Sequence, residues 1–456
     1  MIRATLVLTL AIGCLSTATS ASAEPPPDVG HQAAAMIQAG GTGSHPGVVA
    51  LVARGDKVLF RGASGMSNLE LSVPMTPGQR FRIGSVTKTF TAAEILKLET
   101  AHRVALGDPL SKYLPDFPNG SHISLRQLLS HTSGVSDNWP ADPAKPLGVD
   151  QTVKLIAATP PDFPPGQAWS YSNSGYMLLG AVIEKVTGKH WNDAIAHDLL
   201  QPLHLTHTGF FPDESVVPSL VSGYSQDSEG AIVRPQFVTI TGPATSGALV
   251  SNVDDLFHWL RALATNSAIP APGFDTMSKP STTDDGKVVG YGLGLMLGTV
   301  RGIPVVEHNG GIEGFASHVL YIPSQDVTVV VLANSDAAEL TPRGLAHRLG
   351  ALAIGNPYDD LHEIQASPGQ WQALAGIYRS ANGVTHTLAI SGRSLTIGRD
   401  EGPARPLAMA QGDRLFYPSD RTDYIKIVRE NGKIVALDFY TDGMPPARRE
   451  SRVSGR

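Results

Sequence analysis

Two spacings of apolar residues alternate along the chain. "HQAAAMIQAG" (31–40) has helical spacing. "PGVVALVARGDKVLFRGASG" (46–65) follows as two apolar runs joined at "RGDK", a β-hairpin pattern. From Thr87 an amphipathic helix is predicted, with Phe90, Ala93, Ile95, Leu96 and Leu98 available to a core. Between Leu106 and Leu205 helical segments are broken by Pro and Gly, most clearly in "EKVTGKHWNDAIAHDLLQPLHL" (184–205). "SGALVSNVDDLFHWLRALAT" (246–265) reads as a strand leading into a helix. "VVGYGLGLMLGTV" (288–300), "IPVVEHNGG" (303–311), "SHVLYIP" (317–323) and "DVTVVVLANS" (326–335) read as consecutive strands, and "LTPRGLAHRLGALAI" (340–354) as a closing helix.

Residues 355–370 have linker composition, and beyond them the texture changes. Short alternating runs ("THTLAIS", "SLTIGR", "RLFYP", "YIKIV", "IVALDFY") are separated by "SGR", "QGD", "ENGK" and "TDG". These are hairpin signals, so residues 366–456 are expected to form a small antiparallel β domain, sandwich or barrel. Residues 30–355 form the larger unit.

The first 23 residues read as a processing signal. Arg3 supplies a positive start, "LVLTLAIGCL" (6–15) a short apolar core, and Ala21–Ala23 a cleavage site before Glu24. The run is too short for a stable membrane span, and plain cleavage is preferred to lipidation at Cys14. A periplasmic or secreted location is expected. Cleavage would remove the single cysteine, which leaves no disulfide, thiol nucleophile or Cys-ligated metal to consider. The 456-residue chain is 42% hydrophobic and 17% charged, a globular composition. Its net charge of −6, with no long basic run, argues against nucleic acid as a partner.

Chemistry enters at Ser85 and Lys88, the only S-x-x-K in the chain, at the start of an apolar helix. Three residues apart, the two side chains share one helix face. Taken alone, a capping serine beside a solvated lysine is the simpler reading. A lysine on the first turn of a buried helix, however, calls for a reason, and nucleophile activation is one. A neutral amine can accept the serine proton, and the helix N-terminus favours negative charge at the oxygen. Acyl transfer also needs a second acid or base, an oxyanion hole and a substrate clamp. The stretches 164–188, with Tyr171 and Asn173, and 305–323, with His308 and the glycines after it, are able to supply them.

These motifs resemble the serine β-lactamase and penicillin-binding superfamily, in particular its branch of class C β-lactamases, D,D-peptidases, D-aminopeptidases and esterases. That branch reads S-x-x-K, then Y-x-N, then a Lys- or His-x-Gly triplet. Here they stand as Ser85-Val-Thr-Lys88, Tyr171-Ser-Asn173 and His308-Asn-Gly310. "LLSHTSGV" (128–135), "SGALVSNVDDL" (246–256) and "HNGGIEGF" (308–315) are also similar to this branch.

The resemblance implies an α+β, β-lactamase/transpeptidase-like fold, with an antiparallel sheet flanked by helices beside an all-α subdomain. The tail resembles the lipocalin-like domain appended to some members. It further implies catalytic Ser85, Lys88 and Tyr171, with Ser85 as the acylated nucleophile. Substrate binding would fall to Asn173, His308 and Gly310, and the oxyanion hole to the backbone N–H groups of Ser85 and Gly311. The proton acceptor for Ser85, Lys88 or Tyr171, stays open here. The expected activity is an exported serine hydrolase acting on amides or esters of D-amino-acid peptides, cell-wall fragments or small esters. The alternative is a penicillin-binding sensor that acylates without turnover. Neither metal nor cofactor is expected, the partner is a small-molecule or peptide substrate, and no oligomeric state is implied.

Three further patterns compete with these motifs. "SDN" (136–138) matches the middle motif of another branch but reads as a loop. "HTG" (207–209) is a rival third triplet that reads as a turn at a helix end. His190, His197, His204 and His207 lack metal-site spacing. Two expectations complete the reading. His308, with an ordinary pKa of about 6.5, would favour carboxylate substrates as pH falls, and the tail would lean over the cleft and restrict access.

Overall fold

The computed structural model describes residues 28–39, 44–337, 341–392, 394–400, 402–446 and 448–453. The proposed processing signal therefore lies outside the described residues. Helix α1 (Val29–Ala39) precedes the hairpin β1 (Val48–Arg54) and β2 (Lys57–Ser64). Helices α2 (Thr87–Thr100), α3 (Asn173–Thr187) and α4 (Val253–Ala264) follow, with shorter helical pieces between them. The late strands are β3 (Met296–Val300), β4 (Ile303–Ile312), β5 (Phe315–Ile322) and β6 (Val327–Ala333), and α5 (Pro342–Ala353) closes the unit. The six strands form one antiparallel sheet in the order β3-β4-β5-β6-β1-β2.

The central strands β1 and β6 are apolar and buried almost throughout because both faces of the sheet are covered. Side chains alternate between those faces. Val49, Leu51, Val330 and Leu332 pack toward α2, α3 and α4. Ala50, Val52, Val329 and Val331 pack toward α1 and α5.

Helix α2 departs from the amphipathic expectation, since it is buried on every side from Thr87 to Leu96. Its buried threonines are tolerated because their hydroxyls are satisfied inside. Thr91 Oγ1 donates to the Thr245 carbonyl at 2.7 Å, and Thr89 Oγ1 accepts from Trp259 Nε1 at 2.9 Å. Phe90 stacks on Trp259 with ring centres 4.0 Å apart.

After α6 (Pro368–Leu374), eight strands close an antiparallel barrel: β7 (Gly376–Ser380), β8 (Thr385–Ser391), β9 (Ser394–Arg399), β10 (Arg405–Ala410), β11 (Arg414–Phe416), β12 (Tyr424–Glu430), β13 (Lys433–Tyr440) and β14 (Arg448–Arg452). The barrel meets the larger unit at the start of α5 and at the β3–β4 turn. Thr341 Oγ1 donates to the Ser419 carbonyl at 2.8 Å, Arg343 pairs with Asp420 at 2.9 Å, and the Gly302 N–H donates to Asp442 at 2.7 Å. A cover over the cleft is therefore not what the fold provides: among the described residues, none of the barrel lines the cavity at Ser85.

Candidate active site

Ser85 sits in a single 3₁₀ turn (Gly84–Val86) that runs into α2, with Lys88 one turn later. Lys88 is fully buried. Its Nζ lies 3.1 Å from Ser85 Oγ, 2.7 Å from Asn173 Oδ1 and 2.8 Å from the Ser246 carbonyl. Burial lowers the lysine pKa to about 7, against a smaller opposing pull from the Asp137 carboxylate. A neutral amine has two N–H donors and one lone pair. Asn173 Oδ1 and the Ser246 carbonyl can only accept, so they take the two protons and leave the lone pair facing the Ser85 hydroxyl.

Tyr171 and Asn173 stand at the entrance of α3. Ser172 caps that helix, its Oγ accepting from the Gly175 N–H at 3.0 Å. The segment is held from outside by two residues to which the sequence assigned no role. Asp137 accepts from the Asn173 and Ser174 N–H groups, both at 2.8 Å, from Ser172 Oγ at 3.1 Å and from Asn173 Nδ2 at 3.3 Å. The last contact fixes which way the Asn173 amide points. His131 Nδ1 accepts from the Ser172 N–H at 3.0 Å, and its ring lies 4.4 Å from that of Tyr171. Burial raises the Tyr171 pKa well above the ordinary phenol value, outweighing a hydrogen bond with Ser85 that acts to lower it.

The "SDN" triplet thus contributes its middle residue alone. Ser136 is buried with Oγ accepting from the Asn138 N–H at 3.2 Å, and it lines a separate small cavity beside Ile156. His207 to Gly209 lie in a turn leading into a short strand, with the His207 N–H donating to Asp255 at 2.8 Å.

The third motif occupies β4. This strand outruns its neighbour β3, which pairs with it only as far as Glu307, so residues 308–312 present an edge toward the Ser85 turn. Close approach there depends on missing side chains. A Cβ on Gly310 would lie 2.0 Å from the Ile83 carbonyl oxygen and 2.3 Å from Ser317 Oγ. One on Gly84, whose φ is +51°, would lie 2.8 Å from the Gly311 backbone nitrogen. Gly311 itself is exposed, and a Cβ there would meet nothing within 4 Å.

His308 does not reach the cleft as a substrate contact. The ring is fully buried, with Nδ1 2.7 Å from the Asn309 carbonyl and Nε2 2.9 Å from the Tyr291 hydroxyl. A carbonyl can only accept, so Nδ1 carries the proton and Nε2 accepts from Tyr291: the imidazole is neutral. Burial, reinforced by Lys88 whenever that amine is protonated, lowers its pKa to about 3. The expected response of carboxylate binding to falling pH is therefore replaced by an imidazole that stays neutral across the working range.

Glu307 points to the opposite face, as strand alternation requires. Its Oε2 accepts from His318 Nε2 at 3.0 Å and His347 Nε2 at 2.6 Å. Among the described residues this trio has the donor types and spacing of a metal centre. Metal-ligating imidazoles usually donate their second ring N–H to an acceptor, whereas His318 Nδ1 is buried without a partner. The trio fits a hydrogen-bonded carboxylate better than a metal centre.

Ser85, Tyr171, Asn173, Gly311, Trp139 and Glu313 are among the residues around a cavity of about 340 Å³. Lys88 reaches this group from inside the protein, and Gly310 sits behind it.

The Beta-lactamase family profile matches residues 33–352. A D-stereospecific amidohydrolase from Streptomyces sp. is 30% identical, the match covering 69% of this chain and 96% of that one, with a TM-score of 0.60. The octameric penicillin-binding protein homologue from Pyrococcus abyssi is 25% identical over 89% of this chain and 95% of its own, with a TM-score of 0.64. Protein flp of Staphylococcus aureus (strain N315) is 29% identical over 67% of this chain, and the match spans only 62% of that relative's length. Penicillin-binding protein 4* of Bacillus subtilis (strain 168) is 26% identical over 68% of this chain and 72% of its own. No described helix is long and apolar enough to cross a membrane. With the profile spanning the sheet, the helices and every motif described above, the chain belongs to the Beta-lactamase family.

Proposed function

We propose that this protein is a serine hydrolase in which Ser85 forms an acyl-enzyme with amide or ester substrates: D-amino-acid peptides or amides, cell-wall fragments or small esters. The observation that carries the reading is the Lys88 amine, whose two protons are committed to Asn173 and Ser246 while its lone pair faces Ser85. In this scheme Lys88 takes the Ser85 proton as Oγ bonds to the substrate carbonyl carbon. The N–H groups of Ser85 and Gly311 receive the oxyanion. Tyr171 gives its proton to the departing nitrogen or oxygen and recovers one from Lys88. Water then cleaves the acyl-enzyme. Similarity to the Streptomyces D-stereospecific amidohydrolase supports the amide class. We further propose action outside the cytoplasm after cleavage following Ala23, which a mature N-terminus at Glu24 would support.

A fluorophosphonate probe should add mass to the peptide containing Ser85 and leave Ser85→Ala unlabelled. With a chromogenic ester, steady turnover after the burst supports a hydrolase, whereas a stoichiometric burst alone supports an acylating sensor. Tyr171→Phe should lower kcat about a hundredfold, the scale of a lost general acid. Ser136→Ala, in its separate cavity, should change kcat less than about twofold. The reverse pattern would move the middle motif to the serine of "SDN".

A further inference from the structure

We propose that Glu313 selects substrates bearing a primary ammonium group close to the scissile carbonyl, an inference that rests on the acyl-enzyme reading above. Glu313 lies two residues past Gly311, just beyond the end of β4, and both line the cavity. Glu313 opens the turn that joins β4 to β5, and residues two apart lie no more than about 7 Å from each other in any conformation. A glutamate side chain spans most of that distance, so its carboxylate lies within reach of a cation a few bonds from a carbonyl held at Gly311.

The charges around the cavity point the same way. Glu313 is exposed and makes no ion pair or hydrogen bond with any other described residue, so its charge is available. The cavity's one lining cation, Lys145, is paired with Asp142 at 3.4 Å. Lys88 is committed inside the protein, and His308 is buried and neutral. With Asp142 and Glu313 against Lys145, the described walls carry one net negative charge, which favours an ammonium over a carboxylate. Trp139, Met177, Leu147 and Val238 give the rest of the wall an apolar character suited to the side chain of the same substrate. The substrate class is then an amino-acid amide or short peptide with a free amino end and an apolar first side chain.

The test compares D-phenylalanine p-nitroanilide with its N-acetyl derivative, which lacks the charge. The free-amine to acetylated ratio of kcat/KM should fall about tenfold in Glu313→Gln, the scale of a charge-assisted contact in a partly open cleft. It should invert in Glu313→Lys. Raising salt should lower the ratio in the native protein and leave it unchanged in Glu313→Gln. A ratio indifferent to both substitutions overturns the proposal.

A second readout needs no turnover. D-phenylalaninamide should bind Ser85→Ala protein by calorimetry, about tenfold more weakly when Glu313→Gln is added. No binding, or binding indifferent to Glu313, also overturns it. Amide binding through Glu313 by a protein whose Ser85 never acylates would sink the hydrolase reading and leave this one standing. Acylation with both amine readouts flat would do the reverse.

Discussion

Ser85→Ala is expected to lower kcat by three orders of magnitude or more, and Lys88→Met by nearly as much. The two groups form one unit, and units of this kind lose most of their activity when either member goes. Lys88→Met keeps the packing volume but leaves the Ser85 hydroxyl without a proton acceptor. It also strips Asn173 Oδ1 and the Ser246 carbonyl of a donor. The native protein should show the same group in its pH profile. With the Lys88 pKa lowered to about 7, the competent neutral amine forms as pH rises through that value. kcat/KM should therefore climb from pH 6 to pH 8, with half its plateau near 7. Tyr171, raised by burial, keeps its proton across this range. A profile flat between pH 6 and 8, or a Lys88→Met variant within tenfold of native, would exclude the lysine as the acceptor.

Gly310→Ala is the second large effect. Its methyl group would sit 2.0 Å from the Ile83 carbonyl oxygen and 2.3 Å from Ser317 Oγ, and those two atoms already share a hydrogen bond at 2.8 Å. Neither neighbour is the free end of a flexible chain, so β4 must withdraw from the Ser85 turn. A misplacement of about 1 Å costs on the order of a hundredfold in rate. Loss of one oxyanion donor costs about a hundred- to a thousandfold. Acylation should fall at least a hundredfold, with a lower urea midpoint reporting the strain. Gly311→Ala is the control for folding. Its methyl group would enter open space, so the midpoint should hold. Native-like acylation by Gly310→Ala would show that the strand edge does not set the geometry.

How much of this was legible in the sequence depends on the distance over which each signal acts. Ser85 and Lys88 lie within one helical turn, so their juxtaposition follows from spacing alone. Strand alternation placed Glu307 opposite His308 but said nothing of depth, which depends on Tyr291 arriving 17 residues earlier to cover the ring. Asp137 organises the α3 entrance from 36 residues away. No local pattern marks such a pair, and the one triplet containing it pointed to its serine instead. His131 and Ser246 lay in stretches that resembled the family, but their contacts belong to the folded chain.

The barrel shows the same limit. "THTLAIS" and "SLTIGR" alternate and became β8 and β9 as read. "RRESR" has no apolar residue, yet β14 closes the barrel by pairing with β7 and β13, its inward Glu450 fully buried against His386 at 2.9 Å. Helix α2 reads as amphipathic because its buried threonines count as polar until their partners are known.

The junction between the two units carries a thermodynamic consequence. None of the apolar clusters contains residues from both sides: two are confined to residues up to Tyr358, and two to residues from Leu361 onward. The Thr341, Arg343 and Gly302 contacts that join them are polar. Cooperativity in unfolding comes from shared burial, and here each side completes its own. A single melting temperature is then poorly defined for the whole chain, because calorimetry would superimpose two endotherms with separate enthalpies. A destabilising change in the catalytic unit would move one and leave the other as an internal reference.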